Sequence, residues 1–134
     1  MPTSVLRPEI AKIVEKIDAL RPDLLAAGRG ADESRRISDE TFNSVVQTGA
    51  FSISVPTKFG GLAANTREAH AVARGIGRGD GSLAWVNGIL DSGAWVLSLM
   101  DERAQADVWG PEGGLLHLDR AGYDIGFRAD RGRL

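Results

Sequence analysis

The stretch Ser82-Leu83-Ala84-Trp85-Val86-Asn87-Gly88-Ile89-Leu90-Asp91-Ser92-Gly93-Ala94-Trp95-Val96-Leu97-Ser98-Leu99-Met100 decides the fold class. It is apolar nearly all round, so it reads as a central helix capped by Ser82 and running from Leu83 to about Met100. A bilayer-spanning helix needs roughly 20 predominantly apolar residues, and this run is broken by Asn87, Asp91 and Ser92. A membrane span is therefore excluded. Asn87 and Asp91 are four apart and share a helix face. Gly88, Ser92 and Gly93 are small enough to let a neighbouring backbone or a ligand come close. Trp85 lies one turn before Gly88 and about two before Ser92. Two readings stay open here: helix packing around a satisfied polar pair, or one wall of a pocket, apolar and aromatic with a few polar groups.

Upstream, Gly75-Ile76-Gly77-Arg78-Gly79-Asp80-Gly81-Ser82 is glycine-rich but is no phosphate loop. No Lys precedes Ser82, and the run follows a helix where nucleotide motifs follow a strand. It reads as an interhelical turn, and its Arg78-Gly79-Asp80 tripeptide as chance. Before it, Asn65-Thr66-Arg67-Glu68 spells a capping box. Ala69, Val72, Ala73 and Ile76 then form a narrow face of small residues suited to close packing.

The chain opens with a further helix, marked by Ile10, Ile13, Val14, Ile17 and Leu20 at spacings of three and four. Pro22 is expected to kink it or to open a second helix, Gly28 and Gly30 to weaken it, and Asp32 and Glu33 to reach Arg35 and Arg36. Ser38 caps a short helix buried through Phe42, Val45 and Val46, and Gly49 suits the left-handed residue after it, with Phe51 folding back. Phe51-Ser52-Ile53-Ser54-Val55 alternates apolar with polar and reads as extended. Asp101 caps a last helix carrying Ala104, Val108 and Trp109 inward, and Gly110-Pro111 ends it. Residues 112–134 hold no sustained period and read as an irregular tail, with a short strand expected near Gly122-Tyr123-Asp124-Ile125.

Composition narrows the function. A formal net charge of -2 provides no basic excess for a phosphate backbone, which argues against nucleic acid. The absence of cysteine removes disulfides, thiolate metal sites and cysteine nucleophiles, and fits a reducing cytoplasm. No basic-then-apolar leader is read at the N-terminus. His70 has no partner at metal-ligand spacing and reads as a surface histidine; no metal site, serine elbow or acid/base carboxylate pair is found, so no catalytic residue is assigned.

The order Glu33-Ser34-Arg35-Arg36-Ile37-Ser38-Asp39-Glu40, Gly49-Ala50-Phe51, Val55-Pro56, Phe59-Gly60-Gly61 resembles the N-terminal helical domain of the acyl-CoA dehydrogenase superfamily. Gly79-Asp80-Gly81-Ser82-Leu83-Ala84-Trp85-Val86 and Asp107-Val108-Trp109-Gly110 extend the resemblance over roughly residues 7 to 111. It implies an all-α fold, a helical bundle domain over 1–111 followed by the irregular tail of 112–134, and a truncated or frameshifted gene product would account for that tail. Ser82-Leu83-Ala84-Trp85-Val86 is most similar to the reduced-flavin-dependent, two-component monooxygenases. These take FMNH2 or FADH2 from a separate flavin reductase and oxygenate an aromatic or heteroatom substrate; acyl-CoA dehydrogenases oxidise fatty acyl thioesters instead. The resemblance implies a homo-oligomer when full length, FAD or FMN held mainly by domains beyond this one, and a fragment inactive alone. It also implies that Trp85, Asn87, Gly88, Asp91 and Ser92 line the substrate side. Departures are Gly28 and Gly30 in the first helix, and Asp91 and Ser92 where related oxygenases often carry a histidine region. Two alternatives stay open: an acyl-CoA dehydrogenase oxidising fatty acyl thioesters, and a non-catalytic helical interaction module whose apolar surfaces bind a partner or another copy.

Overall fold

A computed structural model describes residues 6–110, and the tail and its expected strand lie outside the described residues. Five α-helices follow one another: α1 Pro8–Ser34, α2 Asp39–Val46, α3 Thr66–Gly77, α4 Gly81–Ser98 and α5 Glu102–Trp109. Two single 3-10 turns, Ala50–Ser52 and Thr57–Phe59, lie between α2 and α3. The all-α reading holds, with no strand among the described residues.

α1 starts at Pro8, where a missing amide hydrogen costs nothing, and buries Ile10, Ile13, Ile17 and Leu24. It does not stop at Pro22. The helix runs on for 27 residues with the proline inside it. Pro22 is exposed, while Ile17 before it and Leu24 after it are fully covered by the core. An interior proline costs about 3 kcal/mol, and burying two such side chains is worth about 1.5–3 kcal/mol each. Packing on both sides thus overrides the local break. α1 ends where Arg35 turns left-handed, at φ 55°. Arg36 then pairs with Asp39 at 2.9 Å across the start of α2, instead of turning back to Asp32 or Glu33.

Ser38 caps α2 by accepting the Thr41 amide, as the sequence indicates. Gly49 takes φ 86°, and Phe51 folds back on Phe42 with ring centroids 4.9 Å apart. The alternation of 51–55, however, is not a strand. Phe51, Ile53 and Val55 are all buried, but on a 3-10 turn followed by a helical residue. Among the described residues no second strand lies alongside to complete a ladder, and the amides close locally: Ser52 donates to the Gly49 carbonyl and Val55 to that of Ser52. The returning chain satisfies the carbonyls of Val55 and Ile53 through the Ala63 and Ala64 amides.

α3, not α4, is the helix at the centre. It packs against both α1 and α4, and buries Ala69, Val72, Gly75 and Ile76. Its small residues permit this: a Cβ on Gly75 would lie 3.3 Å from Ile17 Cγ2, and one on Gly79 would lie 2.8 Å from Leu24 Cβ. The glycine-rich run is thus a close-packing turn. Asp80 caps α4 by accepting the Leu83 amide at 2.8 Å, which moves the helix start to Gly81, one residue ahead of the expected cap Ser82. With Gly79 buried and Asp80 occupied, the Arg78-Gly79-Asp80 tripeptide is not displayed as a loop.

The main core joins α1, α2, the 50–53 turn, α3 and Leu83 of α4. A smaller cluster of Val55, Ala94 and Trp109 holds α5, capped by Asp101, against the C-terminal half of α4. Phe59 stacks on Trp109 with centroids 5.6 Å apart.

One ion pair closes the N-terminal end of the α1–α3 interface. The predicted capping box at α3 is formed, Asn65 accepting the Glu68 amide and Glu68 accepting that of Asn65. The same Glu68 carboxylate, buried, accepts two hydrogen bonds at 2.7 Å from the Arg7 guanidinium, which also donates to the Leu62 carbonyl. Arg7 first, and the Asn65 amide after it, outweigh burial and hold the Glu68 carboxyl down at about 2. A depressed carboxylate stabilises the fold above its ordinary value, near 4.5, and loses that contribution as pH falls toward 2. Glu68→Gln is expected to cost about 2 kcal/mol in urea denaturation at pH 7. It should also flatten the stability loss between about pH 4.5 and 2. Gly79→Ala is expected to cost about 1–3 kcal/mol by the same measurement, because Leu24 has to leave its rotamer or α3 to retreat from α1.

Candidate functional site

α4 is less covered than its composition indicates. At 100° per residue, Leu83, Asn87, Leu90 and Ala94 lie on one side, and these meet the rest of the molecule. Leu83, Asn87 and Ala94 are buried. On the opposite side Trp85, Ile89, Ser92, Val96 and Leu99 follow at spacings of four and three, and all are exposed, Trp85 at 73% and Leu99 at 70%. The expected central helix is therefore a boundary helix with an open apolar face.

The five residues singled out from the sequence are divided by this geometry. Trp85 and Ser92 stand on the open face, with half-buried Gly88 at its edge. A Cβ added to Gly88 or to Gly93 meets nothing within 4 Å, so here the glycines flatten a free surface and fit no neighbour. Asn87 is on the core side, 1% exposed, and its Oδ1 has no hydrogen-bond partner among the described residues. Asp91 lies between the two sides, half-buried, and accepts a hydrogen bond from the Ser54 hydroxyl. Asn87 and Asp91 share a face, as their spacing indicates, without forming a pair.

The flank of α4 that turns toward α3 borders a cavity of about 320 Å³. Ser54, Thr66, His70, Asp91, Ser92 and Trp95 contribute to its walls, with Ala64 and Ala69 between them. His70, exposed as its sequence context indicates, thus shares a cavity with a carboxylate 21 positions away. Linear spacing conceals that neighbourhood, because it arises only when α3 and α4 fold back on one another. Trp95, Ile89, Val96 and Leu99 also belong to the exposed surface and were missed; their periodicity of four and three was the signal available. Among the described residues, no group of three or more His, Cys, Asp or Glu is placed to hold a metal ion. No described helix is long and apolar enough to cross a membrane.

The family model for the acyl-CoA dehydrogenase N-terminal domain matches residues 7–112. The chain belongs to that family. Its relatives within the acyl-CoA dehydrogenase family include the oxygenase subunit HsaA of a flavin-dependent monooxygenase. HsaA of Mycobacterium tuberculosis (strain CDC 1551 / Oshkosh) is 30% identical over 110 residues, covering 82% of this chain and 28% of the relative. HsaA of Rhodococcus jostii (strain RHA1) is 33% identical over 97 residues, covering 72% and 25%. The oxygenase component of the FADH2-dependent resorcinol hydroxylase of Rhizobium sp. (strain MTP-10005) is 28% identical over 98 residues, covering 73% and 24%. The crystal structure of the M. tuberculosis HsaA monooxygenase superposes with a TM-score of 0.71 at 30% identity, over 78% of this chain and 28% of that one. The chain thus spans about a quarter of the length of these relatives, and the part it spans is the N-terminal domain of the family.

The buried Asn87 amide generates a stability test. A buried oxygen left without a donor forfeits about 1–3 kcal/mol, so replacing the group with an apolar one of similar shape is close to neutral or better. Asn87→Leu is expected to keep or raise the urea midpoint, whereas Leu83→Ala, one turn earlier on the same side, is expected to cost about 2–5 kcal/mol. A large loss in Asn87→Leu would show that the amide has a partner of its own.

Proposed function

We propose that this chain is the substrate-side domain of a two-component flavin-dependent monooxygenase, and that the open face of α4 is one wall of its substrate pocket. The observation that carries the reading is that face: an apolar surface of Trp85, Ile89, Val96 and Leu99, uncovered in a domain whose relatives are flavin-dependent oxygenase components. A surface so apolar, without a charge among those residues, suits an uncharged organic ring.

Within this reading Trp85 supplies a flat contact for the substrate, and Gly88 and Ser92 leave the space beside it. Asp91 lies at the edge of the wall as a hydrogen-bond acceptor. Asn87 stands behind the wall, on the side of α4 that packs against the core, and does not face the substrate. A bound reduced flavin supplies the electrons and the site of oxygen activation. The open α4 face fits a wall beside that group and not a cradle for it, since none of Trp85, Ile89, Ser92, Val96 and Leu99 carries a positive charge. Flavin binding is assigned to the part of the relatives that this chain does not span, with FADH2 favoured over FMNH2 by the resorcinol hydroxylase's name. A flavin reductase delivering the reduced cofactor, and a homo-oligomeric full-length enzyme, complete the proposal, with the cytoplasm as its compartment.

The test is a graft. Residues 7–110 replace the matched domain of the M. tuberculosis HsaA subunit, and turnover of a panel of phenols is followed with a reductase, NADH and FAD. The graft is expected to couple NADH oxidation to oxygenated product. Trp85→Ala within it should raise KM about tenfold with kcat little changed, as for loss of uniform binding. A flavin-binding graft whose turnover ignores Trp85→Ala and Ser92→Leu would remove the wall assignment. Dye reduction by fatty acyl thioesters without oxygenation would instead favour a dehydrogenase.

A further inference from the structure

The cavity between α3 and α4 shares Asp91 and Ser92 with the proposed substrate wall, and unlike the rest of that wall it carries a charge. The carboxylate of Asp91 is the acidic group among its lining residues, and among the described residues no lysine or arginine lines it. The ion pairs of the described residues join Arg7 to Glu68, Arg36 to Asp39 and Lys58 to Glu102, and none of them reaches Asp91. Its neighbour is the Ser54 hydroxyl, which donates to one carboxylate oxygen, orients the group and leaves its charge in place. Half-buried, that charge is screened less than one on an open surface. The indole of Trp95, 61% exposed, borders the same space. A carboxylate without a counter-ion and an accessible indole both attract one kind of ligand, since the ring's negative face draws cations as the carboxylate does.

We propose that this cavity binds a small organic ammonium ion, with the ammonium on Asp91 and its carbon skeleton against Trp95. The free carboxylate oxygen takes an N–H bond, and the Thr66 and Ser92 hydroxyl oxygens lie in the same walls to accept others. Ala64 and Ala69 offer methyl surface to the carbon portion. A volume of about 320 Å³ suits a ligand of one ring and a short chain. An anion is opposed by Asp91. A neutral alcohol of the same shape keeps the ring contact and loses both electrostatic contributions. His70 is the other ionisable group of the lining, and only its uncharged form leaves the Asp91 charge uncancelled. The proposal does not depend on flavin or on turnover.

The probe is benzylammonium chloride, titrated at pH 8 and low salt into the full chain, with benzyl alcohol and benzoate as matched controls. The readout is the Trp95 indole N–H resonance, backed by calorimetry. Saturable binding is expected, with benzyl alcohol about tenfold weaker, a difference of about 1.4 kcal/mol, and benzoate weaker still. Asp91→Asn should lower benzylammonium affinity about tenfold, and Trp95→Leu about threefold. Ser54→Ala, which leaves the carboxylate charged, should change it by less than about threefold. Equal shifts from the three probes, or full affinity in Asp91→Asn, would overturn the proposal. If Asp91→Asn loses its helical circular dichroism, salt decides: sodium chloride must weaken benzylammonium and not benzyl alcohol. Affinity for benzylammonium that is indifferent to salt overturns the assignment to Asp91.

Discussion

The architecture depends on how closely α3 can approach α1. Gly75 faces Ile17 closely and Gly79 faces Leu24 more closely still, the latter at a distance where a Cβ would have to displace the leucine. That approach buries the isoleucine face of α1 and lets Val72 and Ile76 complete the main core. It also fixes where the turn at Gly79 ends and hence where Asp80 can start α4. The Arg7–Glu68 pair closes the other end of the same interface, and one carboxylate there serves as capping group and as counter-ion. From there α4 is placed by its own packing against α3 and the 50–52 turn.

The local signals were legible because they are decided within a few residues. Ser38, Asn65 and Asp101 cap helices by reaching an amide three positions on. What failed to be read locally was settled by packing. Pro22 lacks an amide hydrogen whatever surrounds it, yet Ile17 and Leu24 hold α1 together across it. The alternation of Phe51, Ile53 and Val55 marks three inward side chains, which a strand and an irregular turn can both supply. The competition between Asp80 and Ser82 for the first amides of α4 goes to the longer reach of the carboxylate from an extended residue.

The candidate site was legible in part for the same reason. An all-round apolar helix implies burial, but it does not say by what. In α4 one side is covered by α3 and the 50–55 turn, and the other side faces outward in a domain matching about a quarter of its relatives' length. Trp85 and Ser92 could be placed on that helix from sequence; the partition that sends Asn87 inward and Asp91 to the flank needed the fold. The juxtaposition of His70 with Asp91 is tertiary throughout.

The long first helix has a further consequence. All four of its buried side chains lie at or before Leu24, and the last ten residues, through Gly28, Gly30 and Ser34, have none. Stability is therefore graded along a single continuous element: its amides near Ile13 and Ile17 are protected by global unfolding, while those past Leu24 are released by openings of a turn or two. The boundary between these regimes falls just after Leu24, beyond the proline, so a helix continuous in geometry is graded in protection toward the α1–α2 junction.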